Sequence, residues 1–462
     1  MEALRSPMRN PGMLSVRQPL RSEPAGQQGM YAAAGDVLTF VIAATSRLLI
    51  KAGGDLPIAD LVLFPMLPIL FVTKGRRLRR SGLGIIFVLL GLWFFNQAVT
   101  DVYRRTEMID WVRVNARMVF IALDILGLAM LIGRNVRRQV VFLVGYAIAF
   151  VVRGQIQGFG VSDTWKFAYS TTVGVLVALL SSYFYSHHRY LIAGLLLLGV
   201  AAVNVAFNNR APVLNLFVTI VLAIPIVPKS VGRLRILPRS PGLRIAVLSV
   251  MVLAAGAAAN TLIVYLASSG YLGERAREKD LSQAQAKGGM LLGGRSEILV
   301  TSRAVIDSPI LGHGSWAKDI KYREMYNQLV VQNNIREREA EDEGELIPTH
   351  SHIMGAWVEA GILGAVFWVY ILVYVIRALI RVVISRPSLT PVYVYMFIEF
   401  IWAIAFSPAG GVTILLESGL LVMATDILET LPRLVSESQN PGATRTSRRL
   451  RSGHPAARPI PS

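Results

Sequence analysis

The sequence predicts an all-α, polytopic membrane protein of about twelve spans with one large outer loop that contains helices of its own. Three observations predict it. Of 462 residues, 53% are hydrophobic and the mean hydropathy is +0.50, more apolar sequence than a soluble domain of this length carries. Runs of about 18 or more apolar residues recur, each long enough to cross a bilayer as a helix, the form that satisfies backbone groups where lipid offers no partner. Finally, basic residues gather in every second connection between those runs, as the loops on the cytoplasmic side of a membrane protein do.

Along the chain, residues 1–35 form a polar tail with Arg5, Arg9, Arg17 and Arg21, too poor in apolar residues to fold and without a cleavable signal peptide. Residues 36–267 hold nine spans: Asp36–Ile50, Leu56–Val72, Leu83–Val99, Ala116–Ile132, Val140–Val152, Phe167–Tyr185, Tyr190–Phe207, Ala211–Val227 and Ile245–Ala267. The first and fifth are short and expected to tilt or to lie partly inside the bundle. Residues 268–351 are a loop long enough to be functional rather than a connector. Residues 352–431 hold Ile353–Ile376, Thr390–Phe406 and Val412–Leu431, and residues 432–462 are a basic tail.

With twelve alternating spans, the Lys74–Arg80 cluster, Arg134 with Arg137 and Arg138, Lys229–Arg244, Arg377–Arg386 and both tails fall on one side. The positive-inside rule makes that side cytoplasmic. The connections at Lys51–Asp55, Thr100–Asn115, Arg153–Lys166 and Asn208–Arg210, with the long loop, then face outward, to the periplasm of a bacterial inner membrane. This patterning also accounts for the net charge of +18, which in a soluble chain would suggest nucleic acid, a partner not expected here.

Absence of cysteine excludes disulfides, thiolate metal sites and cysteine nucleophiles. No Asp-x-Asp element is present, and the two histidines at 350 and 352 lack third and fourth ligands at metal-site spacing, so neither metal nor cofactor is expected. The acidic run Glu339–Glu345 reads as a solvated connector, and the intramembrane acids Asp60, Asp124, Glu399 and Glu417 show no spacing that marks a proton relay. His187 and His188 fall on the cytoplasmic side.

Four polar features converge on the outer side. Arg210 stands in the tight turn Asn208-Asn209-Arg210 between two spans; an arginine there either snorkels to headgroups or serves a site. Gly293-Gly294-Arg295-Ser296-Glu297 opens a helix that Ser296 would cap and that runs to about Ile306, with Arg295, Leu299 and Arg303 on one face; for Arg303 a solvated face is the simpler reading. Pro309-Ile310-Leu311-Gly312-His313-Gly314 is a helix stop and turn, in which His313 reads first as a turn residue and second as a ligand contact. His350-Ser351-His352 joins the long loop to a span and puts a titratable base at a membrane surface.

In this order, Arg210, then Gly-Gly-Arg295, then Pro309–Gly314, then His350 followed by Trp357, Glu359, Gly361 and Gly364, the motifs resemble those of the O-antigen ligase and Wzy-type polymerase superfamily. The resemblance covers about Asn208 to Gly364. It implies a GT-C type fold and an inverting glycosyltransferase acting outside the inner membrane, with an undecaprenyl-diphosphate-linked glycan as donor and a glycan or lipid A–core as acceptor. A chain-length regulator protein is an implied partner. Carried over residue by residue, His350 is the base and His352 its runner-up, since Ser351 stands where the family commonly has Asn. Arg210 and Arg295 bind the diphosphate, with Arg303, His313 and Glu359 behind them. The polymerase reading is preferred to the ligase reading. A lipid-linked oligosaccharide flippase or other transporter is the alternative class, disfavoured because no internal repeat is apparent and the conspicuous cations lie at the outer end.

Overall fold

A computed structural model of the chain describes residues 25–51, 55–78, 82–157, 164–224, 241–271, 273, 274, 277, 297–332, 344–408, 410 and 413–439. Among them are fourteen α-helices and one two-stranded sheet of three residues a strand. The helices are α1 (Ala25–Thr45), α2 (Ile58–Leu78), α3 (Gly84–Arg104), α4 (Met108–Leu131), α5 (Val136–Gln157), α6 (Ser170–Ser186), α7 (Tyr190–Ala206), α8 (Arg210–Ala223), α9 (Pro241–Ser268), α10 (Glu297–Asp307), α11 (Ile320–Gln332), α12 (His352–Ser385), α13 (Thr390–Phe406) and α14 (Ile414–Gln439). A π-helical turn, Trp165–Tyr169, leads into α6. The short strands β1 (Leu49–Lys51) and β2 (Asp55–Pro57) pair antiparallel in the connection between α1 and α2, a small departure from an all-α expectation.

Each expected span overlaps a helix, but the first, expected over Asp36–Ile50, leaves its helix at Thr45 and ends in β1, and the ends of the eighth and twelfth at 225–227 and 412 lie outside the described residues. Six helices are long and apolar enough to cross a membrane: those covering Ile58–Gly75, Gly84–Arg104, Met108–Leu131, Val136–Ile156, Trp165–Ser186 and His352–Ser385. Shorter apolar helices cover Ala32–Thr45, Tyr190–Ala206, Arg210–Ala223, Gly256–Ser268 and Thr390–Phe406. α14 belongs to neither group, for it carries Glu417, Asp426 and Glu429. Several boundaries move: α1 begins at Ala25, inside the tail expected to be unfolded, α5 runs from Val136 to Gln157, α12 continues to Ser385 and α14 to Gln439. The third span was expected to end at Val99, but α3 continues to Arg104, where Arg105 takes a left-handed conformation (φ 54°) and α4 starts at Met108. The wide connection expected over Thr100–Asn115 is therefore a tight turn between two long helices.

The core forms where helices present large side chains to one another. Trp93 of α3 packs against Phe367 and Trp368 of α12, with ring centroids 5.1 and 6.1 Å away. Outward-facing Val88, Phe95, Leu191 and Leu195 are exposed, as lipid-facing side chains of a span would be.

Contacts sort the connections into two ends. At one, Arg134 pairs with Glu429, Arg137 and Arg138 pair with Asp36, and Gln139 donates to Asp426 and accepts from Tyr393. At the other, Arg104 donates to Gly312, Ser351 to Ile404 and Lys318 to Asp110, while Asn204 accepts from Ser170 and Asn209. The basic connections at Arg134–Arg138 and the long loop thus lie at opposite ends, as alternation requires.

Candidate active site

α12 begins where the long loop re-enters the bundle, and its first turn is held at three points. Ser351, extended at φ −157°, caps the helix by accepting from the Met354 amide. Its hydroxyl also donates to the Ile404 carbonyl at 3.1 Å, tying α12 to the end of α13. His352, 1% exposed, donates from Nδ1 to the Ser407 carbonyl at 2.8 Å and pairs through Nε2 with Glu417 Oε1 at 3.0 Å. Its ring also stands edge-on to Trp368, with centroids 4.6 Å apart. Both ring nitrogens of His352 are occupied inside the bundle, so it joins α12 to α14 and has nothing left for a substrate.

His350 lies two residues earlier, on the loop side. Its side chain is 35% exposed, and Nδ1 has no hydrogen-bond partner, 3.8 Å from Glu297 Oε1. Two anchors fix the segment that carries it: Thr301 of α10 donates to the Pro348 carbonyl at 2.7 Å, and the cap at Ser351 follows directly. α10 in turn is seated by an apolar stripe. Val300 and Ala304, four apart on one face, pack with Tyr322 and Tyr326 of α11 and with Ile347 and Val358. The expected helix to about Ile306 is therefore present as Glu297–Asp307, while Gly293, Gly294, Arg295 and Ser296 lie outside the described residues.

The turn after α10 docks on a break in α12. Gly361 has φ 64° and ψ −158° within that helix, and a Cβ there would overlap the Ile310 carbonyl. Gly312, at φ 81°, meets the same backbone from the other side, where a Cβ would stand 2.7 Å from the Val358 oxygen. With that space free, His313 and Gly314 amides donate to the Val358 and Glu359 carbonyls at 2.7 and 3.1 Å. These are the carbonyls that the break at Gly361 releases from helical pairing. The His313 ring donates from Nε2 to Ala304 at 2.8 Å and stands edge-on to Tyr322, so it pins α10 to the turn. Burial lowers its pKa, against the opposing hydrogen bond to Ala304. The first reading of His313, as a turn residue, is the one its contacts match.

Sequence reasoning missed the partner surface for this turn. Asn96, Gln97, Thr100, Asp101 and Arg104 share one face of α3. Asn96 donates to the Ile310 and Ala360 carbonyls, Thr100 to Leu311, and Arg104 to Gly312 at 2.8 Å. Buried Asp101 accepts from the Ser315 amide at 2.6 Å and the Ser315 hydroxyl at 2.7 Å. The signal was in the sequence: polar residues at i, i+1, i+4, i+5 and i+8 closing an apolar span form a helical stripe that needs buried partners. Lys318 extends the seam to Asp110 at 2.6 Å and Glu107 at 3.2 Å, and the Asp110 hydrogen bond raises its pKa.

Glu359 is held by Arg117 of α4. Arg303 is exposed and pairs with Asp307 at 3.2 Å, matching a solvated helix face. Arg210 opens α8, within 3.4 Å of Asn208, in a cluster where Asn204 joins Trp165, Ser170 and Asn209. Its depth follows from the neighbours. Asn204 and Ser170 mark one end of the α6–α8 layer, and Ser182 accepts from the Val392 amide at the other, so α13 runs antiparallel to α8. Asn215 lies beside Glu399. Five residues on, about 7.5 Å at 1.5 Å per residue, Arg210 reaches the depth of Ile404, the carbonyl that Ser351 holds. By this count Arg210 lies toward the same end of the bundle as the His350 segment, in a different helix neighbourhood.

An arginine and a half-open imidazole at one end of the bundle can bind an anion and accept a proton. Among the described residues no three His, Asp or Glu side chains gather in a group that could hold a metal ion. The family model described as O-antigen ligase matches residues 175–369, a segment that runs from α6 into α12 and contains Arg210, Arg295, Arg303, His313, His350 and Glu359. No curated protein matches the chain.

Proposed function

We propose that this chain, a multi-pass helical membrane protein whose residues 175–369 belong to the O-antigen ligase family, is an inverting, metal-independent glycosyltransferase of about twelve spans, GT-C in type. It moves a glycan from undecaprenyl diphosphate to an acceptor hydroxyl at the periplasmic face of the inner membrane, both termini being cytoplasmic. The observation that carries this reading is the family match, because it embraces each residue to which a role is given.

In the reaction, the acceptor oxygen attacks the anomeric carbon as the bond from that carbon to the diphosphate oxygen breaks. The bonding pair leaves on the diphosphate, and the acceptor proton passes to His350. Imidazole suits this task near neutral pH, and its half-exposed ring at the loop mouth is reachable where His352 is not. Arg210 and Arg295 neutralise the leaving diphosphate, since a guanidinium is permanently charged and grips phosphate oxygens in a fork. Attack opposite the leaving group inverts the centre, and holding two lipid-borne reactants in one groove supplies much of the rate.

The preferred acceptor is a second lipid-linked repeat unit, making the enzyme a polysaccharide polymerase that works with a chain-length regulator. Ser351 in place of the family's common Asn favours a divergent member of that kind. The ligase reading, with lipid A–core as acceptor, is favoured by the description of the matching family. Purified protein in metal-free detergent solution, given lipid-diphosphate-linked repeat units, should yield longer glycans. Arg210→Ala, Arg295→Ala and His350→Ala should each abolish them with folding intact. Full activity in all three would refute the mechanism, and lipid A–core offered as competitor decides between the two acceptors.

A further inference from the structure

We propose that Glu297 is the carboxylate that orients His350, a positioning residue for the transfer that rests on His350 being the base. Glu297 opens α10, is 8% exposed, and its Oε2 has no hydrogen-bond partner. Its Oε1 stands 3.8 Å from His350 Nδ1, itself buried at that atom and without a hydrogen bond. Tyr326 of α11 donates to the same Oε1 at 3.4 Å, which fixes one side of the carboxylate. An acid kept from water stands beside an imidazole with an open nitrogen, and a shift of about 1 Å would bring Nδ1 into hydrogen-bond range of Oε1. Hydrogen bonds of this kind are commonly long before substrate binds and tighten in the reacting complex.

The backbone geometry leaves that closing motion small. Thr301, one turn after Glu297 on α10, grips Pro348, two residues before His350, so carboxylate and imidazole are carried by elements already tied together. Once closed, Nδ1–H donates to Glu297 and the Nε2 lone pair is left to face the half-exposed side of the ring. That is the tautomer a base needs: the acceptor hydroxyl gives its proton to Nε2, and the imidazolium that results is stabilised by the carboxylate at Nδ1. Glu297 keeps its own charge throughout and exchanges no proton with the substrate.

The test compares Glu297→Gln, Glu297→Asp and His350→Ala in purified full-length protein, with lipid-linked glycan extracted from the native membranes as donor. Glu297→Gln should lower kcat by up to about 10⁴-fold, the loss that follows when the carboxylate behind a general-base histidine is neutralised, with the KM for donor and the thermal midpoint unchanged. Glu297→Asp, which keeps the charge, should recover part of that loss. Unchanged kcat in Glu297→Gln, or a loss matched by a raised KM or a lowered midpoint, overturns the proposal by making the residue a bystander or a structural one. Full activity in His350→Ala with loss in Glu297→Gln would make Glu297 itself the base, and the failure would then lie with the His350 assignment.

Discussion

The loop mouth at His350 and the bundle interior at His352 are two residues apart and built in opposite ways. Inside, His352 has both nitrogens engaged, by Ser407 and Glu417, and a ring contact to Trp368. Outside, His350 is half-exposed, with Nδ1 unbonded beside a carboxylate. The same side-chain chemistry becomes a helix-to-helix strut in one place and an open imidazole in the other. The difference comes from Ser351, whose cap marks the line between loop and helix.

The contrast can be broken by exchange of roles. His350→Ala should reduce turnover by about 10²–10⁴-fold, the usual share of a general base, and leave the thermal midpoint where it was. His352→Ala should do the reverse. It strands Glu417 in the bundle, and removing one partner of a buried pair costs about 3–5 kcal/mol, read as a lower midpoint in detergent. Replacing both residues, as His352→Leu with Glu417→Leu, should restore much of the lost stability, since no buried charge is then left unpaired.

A smaller effect is expected at the docked turn. Gly361→Ala must accommodate a φ of 64° and a clash with Ile310, a strain of about 1–3 kcal/mol that falls on the seam between turn and helix. Limited proteolysis should cut residues 308–318 faster in that variant, with the bundle helices protected.

The smallest concerns pH. Hydrogen bonds from Lys321 and Tyr322 hold the Asp307 carboxyl down to about 2. A depressed acid contributes stability that is present above its ordinary value near 3.8 and lost as pH falls through about 2. The α10–α11 pairing should therefore resist protease unchanged from neutral pH to about 4 and loosen below it, and Asp307→Asn should remove that dependence.

Much of the bundle was legible because apolar runs of span length and alternating basic connections are strong signals. The helix after Arg295 was legible from its own spacing, and it lies at Glu297–Asp307. Less legible was everything that depends on one segment lying over another. Nothing local to Glu417 says it will meet His352, sixty-five positions away. Nothing local to Gly361 says that its missing side chain makes room for Ile310. The polar face of α3 was visible as residues but not as a dock, because its partner turn lies more than two hundred positions later. Even the departure at Ser351 looks smaller in three dimensions, for serine and asparagine cap helices about equally well.

The most direct measurement of the central claim is chemical rescue. His350→Gly removes the base and leaves space at the loop mouth, so added imidazole should restore glycan transfer in proportion to its concentration. His352→Gly should gain nothing from imidazole, its site being closed within the bundle. Rescue of the 352 variant, or none in an intact, donor-binding 350 variant, would contradict the account.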